Sequence, residues 1–326
     1  MTDACARRRS IFFLCALKMQ NADTTKMVSI IDTIPHDAEA PLAFILHSVS
    51  LPLSNALRRY ILAEVPAFAV DECEFIESST CIPDDAIADR ISQMPLGFSV
   101  DCASSMRQFL DCPCEHGCSD CTIQLELDVT ADPHSIRRVW SEDMHVVTDT
   151  AFSIRPPMGN NRIEITRLNP GERLHVICNA RVGTGKMHAR WQTVGAVAWH
   201  PVATVEIDPI AHARLTGIQR KQIVQSCPKQ VFNLKQDTIV VEQAIECTFC
   251  GECLHAVERM SSEHTDTLIT IGRRGSSGDA IQKLHDFRFI IEPTGMLPAI
   301  DCVDCALRIL VQNIDSALAC AHALQH

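Results

Sequence analysis

The chain has 326 residues, 46% of them hydrophobic and 21% charged, which suits about two globular domains and excludes a largely disordered chain. Its 40 acidic against 29 basic residues leave a net charge of −11, and aromatic residues are 5% with a single Tyr. This excludes an independent clamp on a phosphate backbone, which needs clustered Lys and Arg, and it excludes a wide base-stacking platform. The unusual count is cysteine, at 17.

Residues 1–25 carry no consistent periodicity. Arg7, Arg8 and Arg9 precede a short apolar run, 11–17, which stops at Lys18 without a small-residue cleavage motif. We expect an N-terminal extension, or residues upstream of an in-frame start at Met19 or Met27. No stretch approaches the roughly 20 continuous apolar residues of a membrane span. Residues 28–34 and 42–49 read as short strands. Pro52 and Ser54 then open a helix, with Ser54 as the expected N-cap and Leu53, Leu57 and Ile61 on one face. Pro66 stops it, and a strand over 67–76 follows.

Residues 81–94 have helical character and end at Pro95. The alternation of Ile123, Leu125, Leu127 and Val129 predicts a strand, as do 174–182 and one continuous segment, 195–207, with 183–186 as the loop between them. Residues 273–278 read as an exposed linker, and Phe287, Phe289 and Ile291 alternate along a late strand. In the last helix Val303, Leu307, Leu310, Ile314, Ala317, Ala321 and Leu324 follow one another at spacings of 4 and 3. That seam can pack on the chain's own sheet or on a partner's helix. No internal repeat is visible.

The cysteines fall into clusters, which argues for metal sites in a reducing compartment over a disulfide framework. Cys112, Cys114, Cys118 and Cys121 form a C-x-C-x3-C-x2-C run. Four thiolates so close can complete a tetrahedral shell around Zn2+, and a shell filled by four protein sulfurs has a structural role. Two disulfides or four unliganded thiols are the alternative. His116, between the pairs, reads as a solvent-facing loop residue.

The second cluster is Cys247, Cys250 and Cys253, with a Cys-Pro step at Cys227 upstream. C-x2-C-x2-C with a remote Cys-Pro is the ferredoxin pattern for a [4Fe-4S] cluster. Zinc in the same four cysteines, or an oxidised empty site, are the alternatives. A strand pair should precede the cluster loop and a helix over 254–260 should follow it. The nine remaining cysteines, including the Cys302-x2-Cys305 pair, read mostly as buried apolar residues.

Several segments together resemble the alpha-like subunits of multisubunit RNA polymerases: the bacterial alpha subunit, the archaeal D subunit and their eukaryotic counterparts. They are Ser54-Asn-Ala-Leu-Arg-Arg59 with Ala63-Glu-Val-Pro66 and Ala69-Val-Asp71, Asp84-Asp-Ala-Ile-Ala-Asp-Arg90 with Met94-Pro-Leu96, Gly185-Lys-Met-His-Ala-Arg-Trp191, and Phe287-Arg-Phe-Ile-Ile-Glu-Pro-Thr-Gly295. Asp89 stands where the family has His, and Met94 where it has Ile. The loop at Cys112 resembles the zinc loop of the third-largest subunit of RNA polymerase II, and the region of Cys227 to Cys253 resembles the ferredoxin-like domain of many archaeal D subunits. Having both departs from the best-known polymerase II members.

The resemblance implies an α+β fold: a discontinuous dimerisation domain (26–72 and 195–326), an inserted β-rich domain with the zinc loop (73–194) and a small ferredoxin-like domain (210–262). It implies a non-catalytic assembly subunit of a nuclear polymerase, or a cytoplasmic one if the origin is viral or archaeal. Leu53, Leu57 and Ile61 with the seam Val303, Leu307, Leu310, Ile314, Ala317 and Ala321 would pack against a smaller alpha-like subunit. Arg58 and Arg59 would face the second-largest subunit of the polymerase complex. No direct sequence-specific contact with nucleic acid and no membrane are expected. The subunit shared by polymerases I and III is the close alternative, and a stand-alone iron–sulfur redox protein the distant one.

Overall fold

In the computed structural model the described residues are 28–33, 40–99, 103, 105–115, 117–148, 154–260, 268–274 and 284–324. The N-terminal segment 1–27 and His116 lie outside them. Among the described residues, fourteen strands, all paired antiparallel, and six helices make a mixed α and β fold. No helix among the described residues is long and apolar enough to cross a membrane.

The first sheet joins the two ends of the chain. Strands β1 (Val28–Thr33) and β2 (Leu42–Ser50) pair, β2 pairs β14 (Leu284–Pro293), and β14 pairs β9 (Val194–Pro201). Phe287, Phe289 and Ile291 of β14 are fully buried, so the predicted alternation holds. They meet Phe44, Leu46, Leu57, Ile61, Cys302 and Val303 in one core, where helices α1 (Leu51–Ala63) and α6 (Ala299–Ala323) cover the sheet.

The start of α1 differs from the expectation. Ser50 is the cap residue, and Ser54 is buried inside the first turn, donating to the Leu51 carbonyl at 2.9 Å. Pro52, which needs no hydrogen-bond acceptor for a missing N–H, sits in that turn.

The second sheet runs β3–β8–β4–β6: β3 (Pro66–Ser78), β4 (Thr122–Thr130), β6 (His145–Val146) and β8 (Arg173–Thr184). Helix α2 (Asp84–Ser92) and the pair β5 (Arg137–Trp140) with β7 (Glu164–Leu168) close its core. Phe68, Ile87, Ile91, Met94, Leu96, Ile123, Leu125 and Leu127 are all essentially inaccessible there. The expected loop at 183 begins later, because Gly183 and Thr184 still pair with Ala67 and Pro66.

The expected single strand over 195–207 is two strands in two sheets. Pro201 ends β9 at an edge, where a missing N–H is tolerated. Val202 then donates to Asp286 and accepts from Arg274, and β10 (Ala203–Ile207) turns away to pair with β13 (Ile269–Arg273). Arg273 therefore belongs to a strand, and Arg274 bonds the buried carboxylate of Asp286 at 2.7 Å, so neither is linker. The third core lies below β10 and β13. It is built from α3 (Pro209–Ala213), α4 (Gly217–Ser226), the hairpin β11 (Phe232–Lys235) with β12 (Thr238–Val241), and α5 (Glu252–Met260).

Candidate metal centres and dimerisation face

The loop before β4 gathers the first cysteine set. Sγ···Sγ distances are 3.3 Å for Cys112–Cys114, 3.6 Å for Cys112–Cys118, 3.4 Å for Cys114–Cys121 and 3.7 Å for Cys118–Cys121. A tetrahedral ion with metal–sulfur bonds of about 2.3 Å spaces its sulfurs by about 3.8 Å, so the set needs only a slight expansion to surround one ion. The turn is built for it. Gly117 has φ +102°, and a Cβ there would meet the Thr122 hydroxyl at 2.7 Å. The Cys118 N–H donates to Cys121 Sγ at 3.4 Å.

These thiols cannot ionise together unaided. The contact with Cys112 pushes Cys114 up to about 12. Burial works upward on Cys121 too, but the Thr122 hydroxyl and the Cys118 N–H draw it down to about 7. Shared protons among touching sulfurs are what a divalent cation would replace.

The second set is built differently. Cys227 caps α4, Cys247 follows the short turn Ala244–Glu246, Cys250 lies in the loop, and Cys253 is in the first turn of α5. Phe249 and Gly251 both have positive φ, 58° and 80°, which bends the loop around a hollow. All four cysteines line that hollow with Phe232 and Ile271. Among the described residues, no three sulfurs of this set come within 4.8 Å of one another, unlike the first set. Burial, reinforced by the charge of Cys227, raises Cys253 to about 11. The Val231 N–H donates to Cys227 Sγ at 3.5 Å. Arg288 of β14 reaches Glu246 at 2.6 Å and so ties this loop to the first sheet.

The helix faces divide the predicted partner residues. Leu57, Ile61 and Val303 are buried in the core of the first sheet, on which α1 and α6 lie, and Leu310 is buried further along α6. Leu307 is half-buried, whereas Ala317 and Ala321 are exposed. Leu53, Ile314 and Leu318 are 45%, 45% and 53% exposed, large values for apolar side chains. Asn313 of α6 donates to the Tyr60 hydroxyl of α1 at 3.0 Å, which holds the two helices side by side. The seam therefore changes owner along its length: its first half covers the sheet, and its second half, with Leu318 added, faces outward. Arg58 is held by Asn55 at 3.1 Å, and Arg59 is exposed.

A model of the RNA polymerase Rpb3/Rpb11 dimerisation domain matches residues 43–314. The chain belongs to this family. Among its relatives is the RNA polymerase II subunit rpb3 of Dictyostelium discoideum, 28% identical over 84% of this chain and 88% of the relative. An archaeal RNA polymerase subunit, Rpo3 of Methanosphaera stadtmanae, is 26% identical over 84% and 92%. A conjugation stage-specific protein of Tetrahymena thermophila is 27% identical over 87% and 92%. The resemblance to alpha-like polymerase subunits, nearest to the Rpb3 type, is borne out.

Three of the segments that carried the resemblance, 63–66, 69–71 and 185–191, meet in space. Lys186 donates its backbone N–H to the Ala63 carbonyl at 3.0 Å, joining the Gly-Lys-Met-His segment to the end of α1. Arg181 binds Asp71 and Glu72, each at 2.9 Å, while its guanidinium lies 3.7 Å from the ring centre of Phe109. Trp191 donates to the Arg181 carbonyl at 3.0 Å, and Arg190 donates to the Val70 carbonyl at 3.1 Å. Together with Arg181, Glu72 and Phe109, which lie outside those segments, Asp71, Arg190 and Trp191 make a clamp between β3, β8 and the approach to the first cysteine loop. Cys302 and Cys305 are buried at the start of α6, and burial pushes them up to about 12 and 11, as expected of apolar-packed thiols.

Proposed function

We propose that this chain is the non-catalytic assembly subunit of a DNA-directed RNA polymerase, pairing with a smaller alpha-like subunit and docking on the second-largest subunit. The observation that carries this reading is the exposure of the apolar side chains Leu53, Ile314 and Leu318 on two helices whose other faces are already committed to the first sheet. Exposed apolar residues of that kind, in a family whose description is a dimerisation domain, call for a second helix pair. Arg59, exposed beside it, supplies charge for the larger partner. The division into a discontinuous dimerisation domain, an inserted β-rich domain and a ferredoxin-like domain is part of this proposal, supported by distinct cores at the first sheet, the second sheet and the region of the second cysteine set. The setting is the nucleus for a eukaryotic chain and the cytoplasm for an archaeal or viral one.

The polymerase I and III reading has less support. The corresponding rpac1 of Dictyostelium discoideum is 22% identical and is covered over 76% of its length, against 28% and 88% for rpb3. Co-expression with the smaller alpha-like subunit should give a stable one-to-one complex by native mass spectrometry. A chain that stays monomeric beside it would refute the pairing.

Cys112, Cys114, Cys118 and Cys121 would hold a structural Zn2+, supported by their tight spacing. Cys227, Cys247, Cys250 and Cys253 would hold a [4Fe-4S] cluster, each thiolate binding its own iron, which suits cysteine sulfurs that stand wider apart than those of the first set. Bound there, such a cluster supplies cross-links between α4, the loop and α5. Cys118→Ala should remove the zinc and leave the iron, while Cys250→Ala should do the reverse. Metal analysis with an anaerobic absorbance spectrum reads both, and parallel loss of one metal from both variants would contradict the assignment.

A further inference from the structure

We propose that Cys73 and Cys178 are a reversible oxidation site at which a hydroperoxide closes a cross-strand disulfide. The two residues lie directly opposite one another where β3 pairs β8, with their sulfurs 3.8 Å apart. Opposed residues of an antiparallel pair have Cα atoms about 4.5–5.5 Å apart, inside the range a disulfide spans. Register shifts on either side, between Val70 and Glu72 and between Phe75 and Glu77, interrupt the ladder around Cys73. Neither cysteine belongs to either of the two clusters described above.

The pair is chemically unequal, which suits an attacking and a resolving thiol. Cys73 is half-buried, and Cys178 is sealed in the core of the second sheet. The hydrogen bond from Cys178 lowers the Cys73 thiol, with burial opposing and Arg190 assisting, whereas Cys73 and burial raise Cys178. Arg190 is fixed by its bonds to the Val70 and Asp71 carbonyls at 3.1 and 3.3 Å.

The Cys73 thiolate attacks a peroxide oxygen and the O–O bond breaks, giving the sulfenic acid and, after protonation from solvent, water or an alcohol. Cys178 then gives up its proton and attacks Cys73 Sγ. The S–S bond forms, the S–O bond breaks, and the leaving hydroxide takes that proton as water. Two thiols lose two electrons, and one peroxide gains them. Two molecules of a thiol such as glutathione reduce the disulfide again by exchange, restoring both cysteines and leaving as their own disulfide.

The test uses the full metal-loaded chain, exposed to hydrogen peroxide, alkylated after denaturation and digested without reduction. The expected product is a peptide pair joined through Cys73 and Cys178, lost on adding dithiothreitol. The Cys73→Ser variant should lack it, and its melting temperature should no longer rise on oxidation as the unmodified chain's does. Recovery of both cysteines as alkylated thiols in the unmodified chain, or of Cys73 as sulfinic or sulfonic acid with Cys178 still free, would overturn the proposal without any variant having to fold.

Discussion

Ile314→Asp combined with Leu318→Asp should leave the chain folded and abolish its copurification with the smaller alpha-like subunit. Both side chains are about half exposed, so neither substitution opens a hole in the chain's own core. In the heterodimer each would lose about 1–2 kcal/mol of apolar burial, and each new carboxylate would be desolvated without a partner. Together that weakens pairing by roughly 100-fold or more. The control is Leu310→Asp, only four residues away but buried within the chain, which should cost the chain its own folding stability. Thermal melts separate the two: near-native melting with no partner for the outward pair, and no cooperative melt for the inward residue. A double variant that still pairs one to one would remove this face from the interface.

Phe289→Ala should be among the most damaging substitutions to stability. The ring is fully buried at the middle of β14, stacked on Phe44 with centroids 5.0 Å apart and planes 3° from parallel. It lies in register with Phe44 of β2 on one side and Trp199 of β9 on the other, so it holds together strands distant in sequence. Truncating a buried Phe costs about 3–5 kcal/mol, against a total stability of about 5–15 kcal/mol for an ordinary domain. The urea midpoint of the first-sheet transition should fall accordingly, and pairing with the small subunit should fall with it. A loss below about 1 kcal/mol would mean that this sheet is not the core of the platform.

Much of this was legible in the sequence where one face of an element is buried and the other wet. Alternation marked β4 and β14 because their inward residues touch a core and their outward ones do not. The cysteine clusters were legible because ligand spacing is a local property. Four features were not. The break between β9 and β10 is hidden because apolar residues continue across Pro201, and only the sheet edge shows why that proline is harmless. Helix α4 buries Ile223 alone, so it carries little periodic signal. The seam of α6 reads the same whichever partner covers it; only the packing shows that Val303 and Leu310 are covered by this chain while Ile314 is not. Cys73 and Cys178, 105 positions apart, become neighbours only through the strand register.

The measurement that bears most directly on the assembly role is the mass and subunit composition of the native particle recovered on this chain. The expected result is a large complex containing the two largest polymerase subunits, with one copy of this chain and one smaller alpha-like subunit. A monomer free of those subunits, carrying a cluster that is reduced and reoxidised on its own, would contradict it.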